Sequence, residues 1–424
     1  MALVIVLKGS DFLCLSEFMK KHILIIGAGA SGLMAAIQAA KCGANVTVLE
    51  HKEQAGKKLL STGNGRCNLT NLEQKEEYYR CSCLDFPGEV LRQFSMKDTL
   101  EFFQSLGILP KSRNGYIYPN SDQAASVVEA LLLEGKRLGV KMIYQCHVDN
   151  ATKRGEAFLL HTNLGDFKGE ALILAAGSKA APVTGSDGSG YELAKMFGHR
   201  IIAPLPALVQ LCCKGNHYKE LAGVRTDARL TVYIDGKFLA SDEGELQLTS
   251  YGISGIPTFQ ISRYASIGLH RKQKVTVKIN FLPHMSQSEV REMIEQRLRA
   301  MGDRTCRQWM NGILNAKLSK VLLKLAKISD EQKVKEIPAA KWRKLESQLT
   351  AYEAEVTATN PFENAQVCCG GVDVKQVQEK TLESRLVEGL YFCGELLDVD
   401  GICGGYNLQW AWSSGAVAGR WASK

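Results

Sequence analysis

Lys21-His22-Ile23-Leu24-Ile25-Ile26-Gly27-Ala28-Gly29-Ala30-Ser31-Gly32-Leu33-Met34-Ala35-Ala36 decides the fold. Four aliphatic residues in a row describe a strand buried on both faces, as at the centre of a parallel sheet. Gly27 marks a tight turn. Gly29, without a Cβ, lets a pyrophosphate approach the backbone, and Gly32 lets the next helix lie close to the strand. That helix, expected from Ser31 to residue 42, aims its N-terminal N–H groups at the phosphates. A second strand, Asn45-Val46-Thr47-Val48-Leu49, ends in Glu50, an acceptor for a ribose 2′-hydroxyl. The elements follow in order within about thirty residues, as a dinucleotide-binding unit requires. The acid favours an adenosine ribose without a 2′-phosphate, hence FAD or NAD rather than NADP.

A chain of 424 residues exceeds one compact core and calls for two or three domains. With 45% hydrophobic and 23% charged residues, it falls outside the disordered and fibrous classes. The net charge of +8 is modest, and its densest basic stretch, residues 317–344, interleaves Asp330, Glu331 and Glu336. It reads as a solvated helical face, so nucleic acid is not expected as a partner. The positive field can still draw in an anionic substrate. Thirteen cysteines with no CxxC pair fit neither a disulfide framework nor a zinc site, and point to a reducing cytoplasm with no bound metal. No apolar run approaches the ~20 residues of a membrane span, so no membrane partner is expected. Nothing in the pattern signals an oligomeric state.

Along the chain, residues 1–18 read as an extension ahead of a natural start at Met19. Residues 19–203 form the first part of the dinucleotide domain, with helical character at 85–110 and 121–138 and a small antiparallel meander near 158–168. Ala171-Leu172-Ile173-Leu174 is a second buried strand that can rejoin the sheet. Short strands and turns fill 204–282, a β-rich insertion with an Asp235-Gly236 hairpin signal. Residues 283–354 are amphipathic and glycine-poor, a helical insertion. The dinucleotide domain resumes over 355–424.

Two further stretches face the presumed cofactor. His51 to Asn71 is dense in Gly, Asn, Ser and Thr, with Lys57, Lys58 and Arg66 as cations, Gly65 in its turn and Asn68 after it. Near the C-terminus a third strand runs into Gly394-Glu395. After it, Gly404-Gly405-Tyr406-Asn407-Leu408 opens a helix whose N-terminus can hold negative charge on a reduced flavin.

With Gly27-Ala28-Gly29-Ala30-Ser31-Gly32, Gly56-Lys57-Lys58, Ser61 to Asn71, Gly252-Ile253-Ser254-Gly255 and Gly394-Glu395…Gly404-Gly405-Tyr406-Asn407, the chain resembles the BaiN-type FAD-dependent oxidoreductases from about residue 20 onward. The resemblance implies an α/β fold: a split Rossmann-type FAD-binding domain of the glutathione-reductase kind, interrupted by a β-barrel and a helical subdomain. It places Ser31, Glu50, Lys57, Lys58, Arg66, Asn68, Val148, Asp398, Asn407 and Leu408 near FAD. Ala30 and His51 join them as neighbours of these positions.

The resemblance also implies a small-molecule reaction. The leading reading is an ene reductase that uses NAD(P)H to reduce C=C bonds conjugated to the 3-oxo group of a steroid or bile-acid intermediate, in the reductive arm of 7α-dehydroxylation. Tyr251, Tyr406 and His51 are candidate proton sources, and no residue is assigned as catalytic. No second glycine fingerprint offers NAD(P)H a domain of its own. One alternative is an aminoacetone-type amine oxidase that produces peroxide. Another is a flavin-carrying protein that binds RNA or a partner through the basic helical insertion.

Overall fold

The computed structural model describes residues 20–424; the expected extension at 1–18 lies outside them. The chain forms two compact units. One runs to Pro204 and resumes from Val367 to Lys424; the other is Leu205–Gln366.

The first unit is built on a five-stranded parallel sheet: β1 (His22–Ile26), β2 (Asn45–Leu49), β3 (Lys141–Ile143), β4 (Ala171–Leu174) and β5 (Leu390–Phe392), in the order β5-β4-β1-β2-β3. Ile23, Leu24, Ile25 and the whole of β4 are buried, because a central parallel strand is covered on both faces. The helix α1 (Ala30–Lys41) follows β1 directly. The helix α2 (Tyr406–Ala422) packs along it. The glycines permit this closeness: a Cβ at Gly32 would stand 1.9 Å from the Gly27 carbonyl oxygen, and one at Gly419 2.3 Å from that of Ala35. The expected helical region 85–110 is two helices, Phe86–Gln93 and Met96–Ser105. They break at Ser95, which caps the second in a reciprocal box with Asp98. The meander is Val148–Arg154, Ala157–Thr162 and Gly165–Gly169.

In the second unit, Leu211–Cys213, Gly252–Gly255, Lys237–Thr249, Arg225–Ile234, Val275–Asn280 and Tyr352–Thr359 close a six-stranded antiparallel barrel. The expected return to the first domain at 355 falls inside the last of these strands, and the return lies at Val367. The helices Gln287–Ala300, Cys306–Met310, Ala316–Leu325 and Ala339–Thr350 share one core with the barrel. Trp309, Leu318, Leu322 and Leu345 are buried in the same cluster as Leu230, Val277 and Ala354. The two insertions distinguished in the sequence are therefore one packed body.

Candidate dinucleotide site

The site forms where β1, β2, β4 and β5 end. Gly27 turns with φ +102°, and a Cβ there would meet the Ala175 carbonyl oxygen at 2.6 Å. Gly29 is the N-cap of α1 and no side chain caps it; a Cβ at Gly29 would meet nothing within 4 Å. The space beside Gly29 at the helix N-terminus is thus open, which is what an anion needs to approach the first-turn N–H groups. Ser31 is buried and Ala30 half-buried.

Glu50 is buried and already engaged. Its Oε2 accepts from Ala28 N at 2.8 Å and its Oε1 from Lys52 N at 2.8 Å. A carboxylate has about four acceptor positions, so capacity remains for a hydroxyl. The carboxylate also pins the glycine turn to the end of β2. His51 lies beside it, with Nδ1 3.5 Å from Glu50 and Nε2 3.9 Å from Asp187, and that Nε2 is buried without a hydrogen bond.

The expected cations take separate tasks. Lys57 pairs with Glu53 at 2.7 Å, whereas Lys58 reaches Glu395 at 2.6 Å, joining two ends of the chain. Glu395 also accepts from Ser178 Oγ at 3.0 Å. Arg66 donates from Nε to the Gly63 carbonyl and lies over the Tyr118 ring. Gly65, with φ +80°, accepts at its carbonyl from Ala124 N. Asn68 Oδ1 is buried with no hydrogen-bond partner among the described residues. A Cβ on Gly405, the uncapped N-cap of α2, would stand 2.9 Å from that oxygen.

At the C-terminal side, Gly394 turns with φ +71°, its N–H donating to Ser414 Oγ at 2.9 Å, and a Cβ there would meet Ser31 Oγ at 2.3 Å. Asp398 is buried and accepts from Ser82 N at 3.2 Å. Asn407 is consumed within its own loop: Oδ1 accepts from Gly401 N, and Nδ2 donates to the Gly401 carbonyl. Its side chain shapes the loop ahead of α2. Leu408 is half-buried in the first turn of α2, and Val148 is buried at the start of the meander.

Of the candidate proton sources, Tyr406 is buried against Tyr78 and Tyr79, and burial pushes its phenol well up. Tyr251 is exposed on the second unit and accepts from Asn360 Nδ2 at 3.1 Å. Burial pushes the Cys67 thiol up to about 12, so it stays protonated and is a poor nucleophile. Among the described residues no group of three His, Cys, Asp or Glu is arranged to hold a metal. No described helix is long and apolar enough to cross a membrane.

Sequence reading missed Ser178 and Ser414, which hold Glu395 and Gly394. The small-residue character of α2 is legible, but its partner, α1, is not. Ser178 follows the glycine after β4, and Ser414 stands beside Gly415 in α2.

An uncapped helix N-terminus behind a glycine turn, an acid at the tip of the next strand and a second glycine-led helix N-terminus define a Rossmann-type dinucleotide-binding protein. The chain belongs to the family described as HI0933-like protein Rossmann domain, which it matches over residues 21–421. It is 47% identical over 405 residues to the 3-dehydro-bile acid delta(4,6)-reductase of Clostridium scindens, covering 95% of this chain and 99% of the relative. The ribosomal RNA dihydrouridine synthase of Haemophilus influenzae is 31% identical over 92% of this chain and 96% of its own length. The enzyme of the same description from Escherichia coli is 30% identical over 92% and 95%.

Proposed function

We propose that the chain is an FAD-dependent ene reductase acting on C=C bonds conjugated to a carbonyl, most specifically the 3-oxo group of a steroid or bile-acid intermediate. NADH or NADPH is its electron donor. The reading is carried by the 47% identity to the delta(4,6)-reductase along nearly the whole of both chains. It is supported by the chemistry in the relatives' names. A 3-oxo-Δ4,6 steroid and a uracil ring each present a double bond conjugated to a carbonyl, so two substrate classes share one reaction.

The residues fit FAD. The open front of Gly29 suits a pyrophosphate, and Glu50 has acceptor capacity left for a ribose hydroxyl. The orphaned atoms His51 Nε2 and Asn68 Oδ1 await partners. In this reading Gly27, Gly29, Ala30, Ser31 and Gly32 cradle the pyrophosphate with Lys57 and Lys58 as cations, and Glu50 with His51 takes the adenosine ribose. Gly394, Glu395 and Asp398 serve the ribityl chain. Gly65, Arg66, Asn68, Val148, Asn407 and Leu408 shape the ring pocket. When bound, FAD supplies the hydride for the β-carbon of the conjugated system. The chain's part is to orient: α1 sets negative charge at one end of the site, and the Gly405-led terminus of α2 sets it at the other.

An anaerobic visible spectrum tests this. An oxidised-flavin spectrum that bleaches with NADH or NADPH and recovers on adding a 3-oxo-Δ4 steroid is the expected result. A flavin that ignores both nucleotides but bleaches with aminoacetone would replace the reading with an amine oxidase.

The two ribosomal RNA dihydrouridine synthases favour a second reading, because each aligns over 92% of this chain. It keeps the same residues and the same reduction, with uridine in ribosomal RNA as the substrate. Appearance of dihydrouridine in an unmodified ribosomal RNA transcript, with no recovery on adding steroid, would select it.

A further inference from the structure

The helix Ala316–Leu325 of the second unit carries Lys317, Lys320 and Lys324, and no acidic residue. Spacings of three and four place the three lysines on one stripe, opposite buried Leu318, Val321 and Leu322. Lys327 follows just past the helix end. Helix stability does not explain this placement. Lys317 lies in the first turn, where the helix dipole disfavours a cation and acids belong. Among the described residues only Lys324 of the three meets a carboxylate, Glu220 at 2.9 Å. Other cations of the helical insertion do find carboxylates within it, as Arg291 does Glu346 and Lys335 does Asp303.

The charge continues beyond the helix. Leu325 lines a cleft of about 520 Å³ into which Lys214, Lys278, Lys344 and His217 also open. Two of these lysines are only loosely held, Lys214 to Glu355 at 3.4 Å and Lys278 to Glu353 at 3.3 Å. Gln348, on the cleft wall, has a buried Oε1 with no partner among the described residues. Across residues 287–350 fourteen Lys and Arg stand against eight Asp and Glu, so this insertion holds most of the chain's net charge of +8.

We propose that this stripe and cleft dock the phosphate backbone of an RNA. The inference rests on the ribosomal-RNA reading for the class of partner, and on the geometry for the place. From Lys317 to Lys324 the helix rises about 10 Å. A nucleic-acid strand presents a phosphate every ~3.4 Å of axis, so about four successive phosphates span the stripe, enough to give each lysine its own. Flexible ammonium groups suit such sequence-independent contacts, which set register and leave base selection to the reaction site.

The test measures binding of an unmodified ribosomal RNA transcript to the flavin-loaded full chain across a salt series. Two variants are compared with it: Lys317→Gln/Lys320→Gln/Lys324→Gln, and the same three positions changed to Arg. Three lost phosphate contacts should reduce the slope of log K against log salt by roughly 2. The Arg variant should keep the slope, and both variants should keep their flavin and thermal midpoint. A wild-type chain that does not retain the transcript, or a Gln variant with unchanged slope, overturns the proposal. So does lysine-dependent binding to phosphatidylserine vesicles in place of RNA. Because binding is read without turnover, loss of the reductase reading leaves this result standing, and steroid reduction by the Gln variant reports on that reading alone.

Discussion

Gly415 of α2 lies so close to Ser31 of α1 that a Cβ on the glycine would stand 2.4 Å from the serine carbonyl oxygen. Gly419 meets Ala35 in the same way one turn on, so the two helices run in the same direction. Ten residues separate Gly405 from Gly415, which carries the α2 N-terminus about 15 Å along its axis from this contact. The α1 N-terminus lies only two residues before Ser31. One packing contact therefore sets the distance between the two positive helix ends. Gly415→Val should force the helices apart at a cost of about 1–3 kcal/mol. The expected result is a lower thermal midpoint and a large loss of bound flavin by absorbance ratio. Gly244→Ala, whose Cβ meets only Pro257 at 3.6 Å, should keep both.

The parts of this site legible in the sequence are the local ones. A strand buried on both faces, a glycine turn and an acid at the next strand tip are written within thirty consecutive positions, and they fold as read. The pair Lys58–Glu395 is separated by 337 positions, and only the closed sheet brings its members together. The long barrel strand Lys237–Thr249 falls where short strands and turns are expected, because Ser241, Asp242, Glu243 and Glu245 interrupt its apolar character. Their neutralising partners, Arg229 for Glu243 and Arg225 for Glu245, sit on the neighbouring strand. Tyr352-Glu353-Ala354-Glu355-Val356 did carry a legible alternation, with the tyrosine, alanine and valine inward, and it marks the strand that the expected boundary at 355 divides. Asn407 shows the opposite limit: its position was legible, but its use as a clamp on Gly401 was not.

Glu50 holds two backbone N–H groups at once, those of Ala28 and Lys52. Glu50→Ala leaves the buried Ala28 N–H unpaired, which costs about 1–3 kcal/mol, and frees the part-buried Lys52 N–H to water at a smaller cost. The turn at Gly27 then keeps only its own N–H bond to the Leu49 carbonyl as a tie to β2. FAD affinity, measured by reconstitution of the stripped protein, should weaken at least tenfold, while Glu50→Gln, which keeps one acceptor oxygen, should fall between the two.

Cys67 sits in the glycine-rich loop beside Asn68, where a redox role is the obvious suspicion. Burial holds its thiol at about 12, so almost no thiolate exists at neutral pH. Cys67→Ser should leave flavin bleaching by the nicotinamide donor and steroid reduction within a few-fold of wild type. In the native protein Cys67 should resist iodoacetamide, read by peptide mass, until denaturant opens the fold. A drop of two or more orders of magnitude in the bleaching rate would return the residue to the redox chemistry.

His199 is buried, with Nε2 2.8 Å from Ser384 Oγ and its ring edge-on to Phe392 at 4.6 Å. Burial lowers its pKa from 6.5 to about 4. The folded value lies below the unfolded one, so the neutral ring favours the fold above pH 6.5, and that contribution is lost as the pH falls toward 4. At about 1.4 kcal/mol per unit of separation, the full effect is on the order of 3 kcal/mol. The thermal midpoint of the wild-type chain should therefore fall by several degrees between pH 7 and pH 4.5. His199→Phe keeps an aromatic ring beside Phe392 and removes the titrating group, so its midpoint should fall less over the same interval. Parallel pH profiles for the two proteins would place the acid sensitivity elsewhere.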